Sequence, residues 1–247
     1  MRCRRALSLL AVAALTGAVA AQSKNSATTP AQRPEKGPAA RHEQFLKRAA
    51  MGNVDVLFLG DSITQGWETS GKDVWARYFE KQNSANFGIG GDRTQHVLWR
   101  ITDGKELEGI SPKAAVLMIG TNNAGTNSAE EIAAGVEAIV KELRRQKPNM
   151  KILLLAVFPR SGKSPKDVAD TKRIPAGDLN KKLPDVNQRI AKLDDGKSVK
   201  YLDIGSKFLD PEGGLSREVM PDYLHLSKKG YEIWADAIKG PLGELLK

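Results

Sequence analysis

The feature that most constrains this chain is a series of short, nearly continuous apolar runs, each stopping at glycine or at a polar loop. Val54-Asp55-Val56-Leu57-Phe58-Leu59 ends at Gly60, and the weaker run Ala85 to Ile89 ends at Gly90-Gly91. Ala114 to Ile119 ends at Gly120, Lys151 to Phe158 is stopped by Pro159, and Val199 to Ile204 is the fifth run. Such runs lack the in–out alternation of a half-exposed strand, so they read as strands buried on both faces. Helical patterns separate them. One has Ser128 as its N-cap, Glu130 and Glu131 in its first turn and basic residues near its end. Val186 to Leu193 predicts another, and a last helix from about Ser227 carries Tyr231, Ile233, Trp234, Ala237 and Ile238 at helical spacing. Strand–helix alternation with long connections implies an α/β fold, a parallel sheet covered on both faces. Ligands of open sheets of this kind sit outside the carboxyl ends of the strands. Residues Arg160 to Lys182 form a long polar stretch with little periodicity.

The segment before the first strand has a different character. Arg2, Arg4 and Arg5, an apolar core from Ala6 to Leu15, and the small residues Ala18-Val19-Ala20 read as a cleavable signal peptide over 1–20. The apolar core is too short for a stable membrane span. The expected location is therefore outside the cytoplasm, secreted or periplasmic. Residues 21–40, rich in Ser, Thr, Pro and Ala, are expected to be a flexible linker, followed by a short helix over about 41–51 and one domain over 41–247. The sole cysteine, Cys3, lies in the leader. A cut after Ala20 would leave no thiol, which removes cysteine nucleophiles, disulfides and thiolate zinc sites from consideration. Loss of the three leader arginines takes the basic count from 38 to 35 against 29 acidic residues, lowering the formal charge from +9 to +6. With no aromatic–basic stacking pattern, that excess reads as solvated lysine, and no nucleic-acid partner is expected.

Four clusters follow strand ends or enter a helix: Gly60-Asp61-Ser62-Ile63-Thr64, Gly88-Ile89-Gly90-Gly91-Asp92, Gly120-Thr121-Asn122-Asn123, and Asp222-Tyr223-Leu224-His225-Leu226-Ser227. A lone Gly-Asp-Ser after a strand is usually a turn with an N-cap. Four such clusters together carry the inventory of acyl transfer: a nucleophile, a base, an orienter for the base and donors for an oxyanion. Ser62 stands immediately after the first strand. Of the three histidines, His42 lies at the leading edge and His96 follows a glycine loop. His225 alone follows an aspartate by three residues, a spacing that lets Asp222 accept from Nδ1–H and leaves Nε2 free for Ser62. Gly91 can offer an unobstructed backbone N–H and Asn122 a side-chain NH₂, with the Ser62 N–H as a third donor. Asp61 is expected to hold local backbone, His96 to brace its loop, Asp92 and Arg93 to brace theirs as an ion pair or hydrogen-bonded corner, and Asn123 to support its turn.

These clusters resemble the SGNH (GDSL) hydrolases, named for the Ser, Gly, Asn and His that the four positions supply. Within that family the likeness is to the catalytic subunits of type Ib platelet-activating-factor acetylhydrolases. It runs from about Val56 to the C-terminus and is densest over NFGIGGDRTQHVLWR and VLMIGTNN. The resemblance implies a flavodoxin-like three-layer sandwich with a five-stranded parallel sheet, hydrolysis of short-acyl esters, and no cofactor or metal. By motif, it assigns Ser62 as nucleophile, Gly91 and Asn122 as completing the oxyanion hole, and Asp222 and His225 as the rest of the triad. The leader and a longer, more basic stretch over 161–183 depart from that pattern.

Other signatures are missing: no G-x-S-x-G elbow, no H-E-x-x-H, and Val157 where a phosphate-binding loop ending at Gly162-Lys163-Ser164 would need glycine. The expected substrate is a small-molecule or carbohydrate ester bearing a short acyl group, acetyl foremost. A lipid esterase, lysophospholipase or platelet-activating-factor-acetylhydrolase-like activity is the alternative within enzymes, and a non-catalytic binding module the alternative outside them. With His225 as base, activity is expected to fall near pH 6 to 7, around the reference value of about 6.5.

Overall fold

The computed structural model describes residues 25–247, so the leader expected over 1–20 lies outside the described residues. In chain order the main elements are α1 (Lys36–Ala50), β1 (Val56–Gly60), α2 (Ser62–Gln65), α3 (Lys72–Tyr78), β2 (Ser84–Gly88), α4 (Thr94–Ile101) and β3 (Ala114–Met118). They continue with α5 (Ala129–Gln146), β4 (Lys151–Leu155), β5 (Arg173–Ile174), α6 (Lys182–Ile190), β6 (Val199–Leu202), β7 (Leu215–Ser216) and α7 (Lys228–Leu245). Five strands form one parallel sheet in the order β2-β1-β3-β4-β6, the flavodoxin-like arrangement.

Alternate residues of each strand point to opposite faces, and the core divides accordingly. Leu57 and Leu59 pack with α1, α4, α5 and α6, whereas Val56 and Phe58 pack with α3, α7 and the aromatic cluster of Trp67, Phe79, Tyr231 and Trp234. Both faces being covered explains why the strands read as unbroken apolar runs. At Ser128 the expected cap is a full capping box: its hydroxyl accepts from Glu131 N–H and the Glu131 carboxylate accepts from Ser128 N–H.

Several boundaries differ from expectation, each for a local reason. Strand β4 stops at Leu155 rather than Phe158, because the Asn187 side-chain amide takes the place of a neighbouring strand, bonding both the N–H and C=O of Val157. Strand β6 stops at Leu202, where Asp203 accepts from Gly205 N–H and turns the chain. The polar stretch 160–182 contains β5, which pairs antiparallel with β7 and ties the stretch to the loop preceding α7.

The stretch expected to be a flexible linker is, over residues 25–40, packed on the domain. Helix α1 already starts at Lys36. Ahead of it, Asn25 donates to Glu131 O, Ala27 is fully buried, and Thr94 and Asn127 bond Ala27 O and Ser26 Oγ. Composition misled here because the contacts are made by backbone and small polar groups, which a hydrophobicity pattern does not register. Among the described residues no helix is long and apolar enough to cross a membrane.

Candidate active site

Strand β1 is the centre of the site. Its last residue leads through Asp61 into α2, a single turn with Ser62 at its first position. Asp61 Oδ1 accepts from Ile63 N–H at 2.9 Å, the backbone-bracing role expected of it. Burial pushes the Asp61 carboxyl up to about 7, against the Ile63 hydrogen bond. The β2 end must lie directly under this turn, and Gly88 allows that: a Cβ there would come 2.3 Å from Gln65 N. From the other side, Tyr231 of α7 donates to Ile63 O at 2.7 Å.

The loop after β2 closes as a turn, with Asp92 N–H bonded to Ile89 O. Gly91 sits at its third position with φ +79°, the left-handed backbone that a type II turn requires there and glycine adopts freely. Gln65 accepts from Gly90 N–H at 2.7 Å, and a Cβ on Gly90 would lie 3.8 Å from Ser62 Cβ, so this loop touches the Ser62 turn. After β3, Asn122 donates one side-chain N–H to Asp92 O at 2.9 Å. An amide nitrogen carries two such donors, so one remains for another acceptor. Asn123 bonds Thr94, Gln95 and Asn127, which is the supporting role expected of it. Ser62, Gly91 and Asn122 thus follow β1, β2 and β3, three neighbouring strands at the point where strand order reverses.

Two histidines are accounted for structurally. His96 accepts from Arg93 N–H, bracing α4 as expected, and burial together with the charges of Arg33 and Arg93 brings it down to about 4. His42 bonds Glu106. His225 lies in the loop before α7, and its Nε2 is 2.9 Å from Ser62 Oγ, across 163 residues of sequence. Its Nδ1 is 2.7 Å from Asp222 Oδ2, while Asp222 Oδ1 accepts from the N–H groups of Leu224 and His225. Burial alone would raise the Asp222 carboxyl, but the bonds from His225 outweigh it and hold the group at about 2. An ionised Asp222 can only accept. The neutral ring therefore carries its proton on Nδ1, and Ser62 O–H donates to Nε2. The bond to Asp222 raises the His225 pKa above its ordinary value, with burial opposing.

One expected pairing is corrected. Asp92 does not pair with Arg93. It is gripped by Arg100 Nε at 2.9 Å and Arg33 Nη1 at 3.2 Å, because its carboxylate is turned into the interior, 1% exposed, where those two guanidinium groups reach it. Arg100 is almost fully buried, bonds Glu106 as well as Asp92, and donates to Phe87 O at 3.1 Å. Its burial works against its charge, and the two carboxylates more than offset that. The sequence carried a signal for Arg100, a cation on the apolar face of α4 beside Val97 and Ile101. Gln65 and Arg33 gave none, since each acts on backbone far away in sequence.

The arrangement contains a hydroxyl bonded to an imidazole, a carboxylate fixing that ring, and three N–H donors at one sheet edge, which suits acyl transfer. Residues 58–233 match the GDSL-like lipase/acylhydrolase family. The platelet-activating factor acetylhydrolase IB subunit alpha2 of Rattus norvegicus is 39% identical over 207 residues, covering 83% of this chain and 82% of that one. Among solved structures, a GDSL-like lipase from Bacteroides thetaiotaomicron superposes with TM-score 0.65 at 18% identity, over 83% of this chain and 98% of the other. The carbohydrate acetylesterase Est24 of Sinorhizobium meliloti gives 0.58 at 17%, over 78% and 99%. Fold, sheet-edge geometry and sequence agree: the chain belongs to the GDSL-like lipase/acylhydrolase family and is an ester hydrolase.

Proposed function

We propose that this is an exported serine esterase that removes short acyl groups, acetyl foremost, from carbohydrate or other small esters. The observation that carries the reading is the continuous chain Asp222–His225–Ser62, with bonds of 2.7 and 2.9 Å. In the proposed reaction His225 Nε2 takes the Ser62 proton as Oγ attacks the ester carbonyl. The developing oxyanion is held by the N–H groups of Ser62 and Gly91 and the free N–H of Asn122. His225 then gives the proton to the departing alcohol. Water, activated by the same imidazole, releases the acid and frees Ser62.

The choice of acetyl is supported by what dissimilar relatives share in name, one an acetylhydrolase and one a carbohydrate acetylesterase. The 39% identity to the platelet-activating factor acetylhydrolase subunit favours a second reading, in which the acetyl group sits on that lipid. Export rests on the leader over 1–20 alone, and it is the reason sugar esters are placed first. The test is hydrolysis of p-nitrophenyl esters from acetate to dodecanoate by wild type and Ser62→Ala. Turnover confined to acetate and propionate and lost in Ser62→Ala is expected. A preference for long chains would transfer the reading to lipid esters, and turnover that survives Ser62→Ala would remove Ser62 from the mechanism.

A further inference from the structure

The segment before α1 reaches the site through one side chain. Arg33 Nη1 donates to Gly90 O at 2.6 Å and to Asp92 Oδ1 at 3.2 Å, and a Cβ built on Gly91 would stand 3.2 Å from the same nitrogen. The arginine is held there from both sides. Upstream, Ala31 N–H bonds Gln95 O, Ala27 O accepts from Thr94 Oγ1, and Ala27 lies so close to α5 that a Cβ on Gly135 would meet its carbonyl at 2.7 Å. Downstream, Arg41 of α1 donates to Gly88 O at 2.9 Å and forms a two-bond ion pair with Glu68.

The group that Arg33 grips belongs to a particular peptide. In the Ile89–Asp92 turn the Gly90–Gly91 peptide is the one whose rotation separates a type II turn from a type I turn. Flanked by two glycines, it meets little steric resistance to that rotation. The C=O and N–H of one trans peptide point in opposite directions. A cation on Gly90 O therefore aims Gly91 N–H away from itself, and rotation would take that donor out of place. A donor on the carbonyl also polarises the peptide and strengthens its N–H.

We propose that Arg33 is a positioning residue for ester hydrolysis, locking the Gly90–Gly91 peptide so that Gly91 N–H is presented to the oxyanion. This rests on the assignment of Gly91 and Asn122 as oxyanion donors. It also gives residues 25–33 a role in the reaction rather than that of a spacer.

The test compares Arg33→Ala, Arg33→Lys, Asn122→Ala and Glu35→Gln in the full-length protein, with p-nitrophenyl acetate as substrate. Arg33→Ala is expected to lose about tenfold in kcat, less than the ~10²–10³ that follows loss of a whole donor, with KM within about twofold. Arg33→Lys should recover most of the loss. Millimolar guanidinium chloride should raise the kcat of Arg33→Ala, because the vacated position is partly open to solvent, and should leave wild type unchanged. Glu35, whose carboxylate is 3.5 Å from Arg33 at the surface, should be replaceable by Gln without loss. An unchanged kcat in Arg33→Ala, or a fall matched by lost thermal stability and not relieved by lysine or guanidinium, overturns the proposal. Asn122→Ala separates the two levels. If it falls steeply while Arg33→Ala does not, the role of Arg33 alone fails. If Asn122→Ala is unaffected, the oxyanion assignment fails and takes the proposal with it.

Discussion

The two halves of the site are built on different physical terms. The proposed nucleophile and its oxyanion donors stand at the ends of three adjacent strands, over a buried polar network. Arg100 joins Phe87 O to the carboxylates of Asp92 and Glu106, while Gln65 and Asn123 hold backbone from side chains. The acid–base half is a surface loop. The Asp222 and His225 side chains are 38% and 44% exposed, and the bonds within the loop that orient them span three residues or fewer. The contrast follows the work each half does. Oxyanion donors act through fixed dipoles and lose effect when they reorganise. On the proposed mechanism the base hands a proton from serine to leaving group, so its tautomer and direction matter more than its burial.

The comparison is broken most sharply at Asp222. Asp222→Asn keeps an oxygen for the Leu224 and His225 N–H groups but removes the carboxylate that fixes the ring tautomer. We expect kcat to fall by about 10³–10⁴ with the unfolding free energy shifted by under about 1 kcal/mol. A loss of stability without loss of rate would show that the carboxylate serves the loop alone.

The opposite pattern is expected in the buried half. Arg100→Met removes the cation shared by the buried Asp92 and Glu106, leaving Asp92 to Arg33 and Glu106 to His42, and breaking a buried ion pair in this way costs about 3–5 kcal/mol. Urea unfolding measures it, and a midpoint close to wild type would mean the network contributes little to the fold.

Asn122→Ala should lower kcat by about 10²–10³ with a smaller effect on KM, placing it between these extremes. A rise in KM alone would make Asn122 a substrate-binding residue.

The smallest effect is on pH dependence. The Asp222 bond raises His225, so the neutral ring needed as base is lost as pH falls through a midpoint above the ordinary value of about 6.5. A kcat/KM profile with its midpoint at or below 6.5 would contradict the strength of that bond. The sequence alone placed this limb around 6 to 7, and the hydrogen bond moves it up. For folding the sign is opposite. The raised His225 pKa contributes stability that is fully present below the unfolded value and is lost as pH rises through the folded one.

The same division explains what the sequence disclosed. The strands, the Ser128 N-cap and the Asp222–His225 spacing were legible because each depends on residues a few positions apart. Ser62, Gly91 and Asn122 were legible through their glycine-rich strand ends. Arg33, Gln65 and Arg100 were not assigned, because each acts on a carbonyl, amide or carboxylate brought near only by the fold. Over residues 25–40 the linker reading failed for the related reason that this stretch docks through backbone carbonyls and small hydroxyls. Asp92 was given the neighbouring Arg93 as partner, whereas the fold supplies Arg33 and Arg100.

The 163 residues between Ser62 and His225 also set an order in time. Ribosomes make the turn that holds the proposed nucleophile 163 residues before they make the proposed base. A nascent or stalled polypeptide ending before residue 225 would carry the serine and its proposed oxyanion donors without the proposed acceptor of the serine proton. Long-range closure of this kind is among the slower events of folding. On the proposed mechanism, hydrolytic activity therefore signals that the chain has been made through His225 and that its loop has docked, and its recovery on refolding would time the arrival of α7 on the sheet.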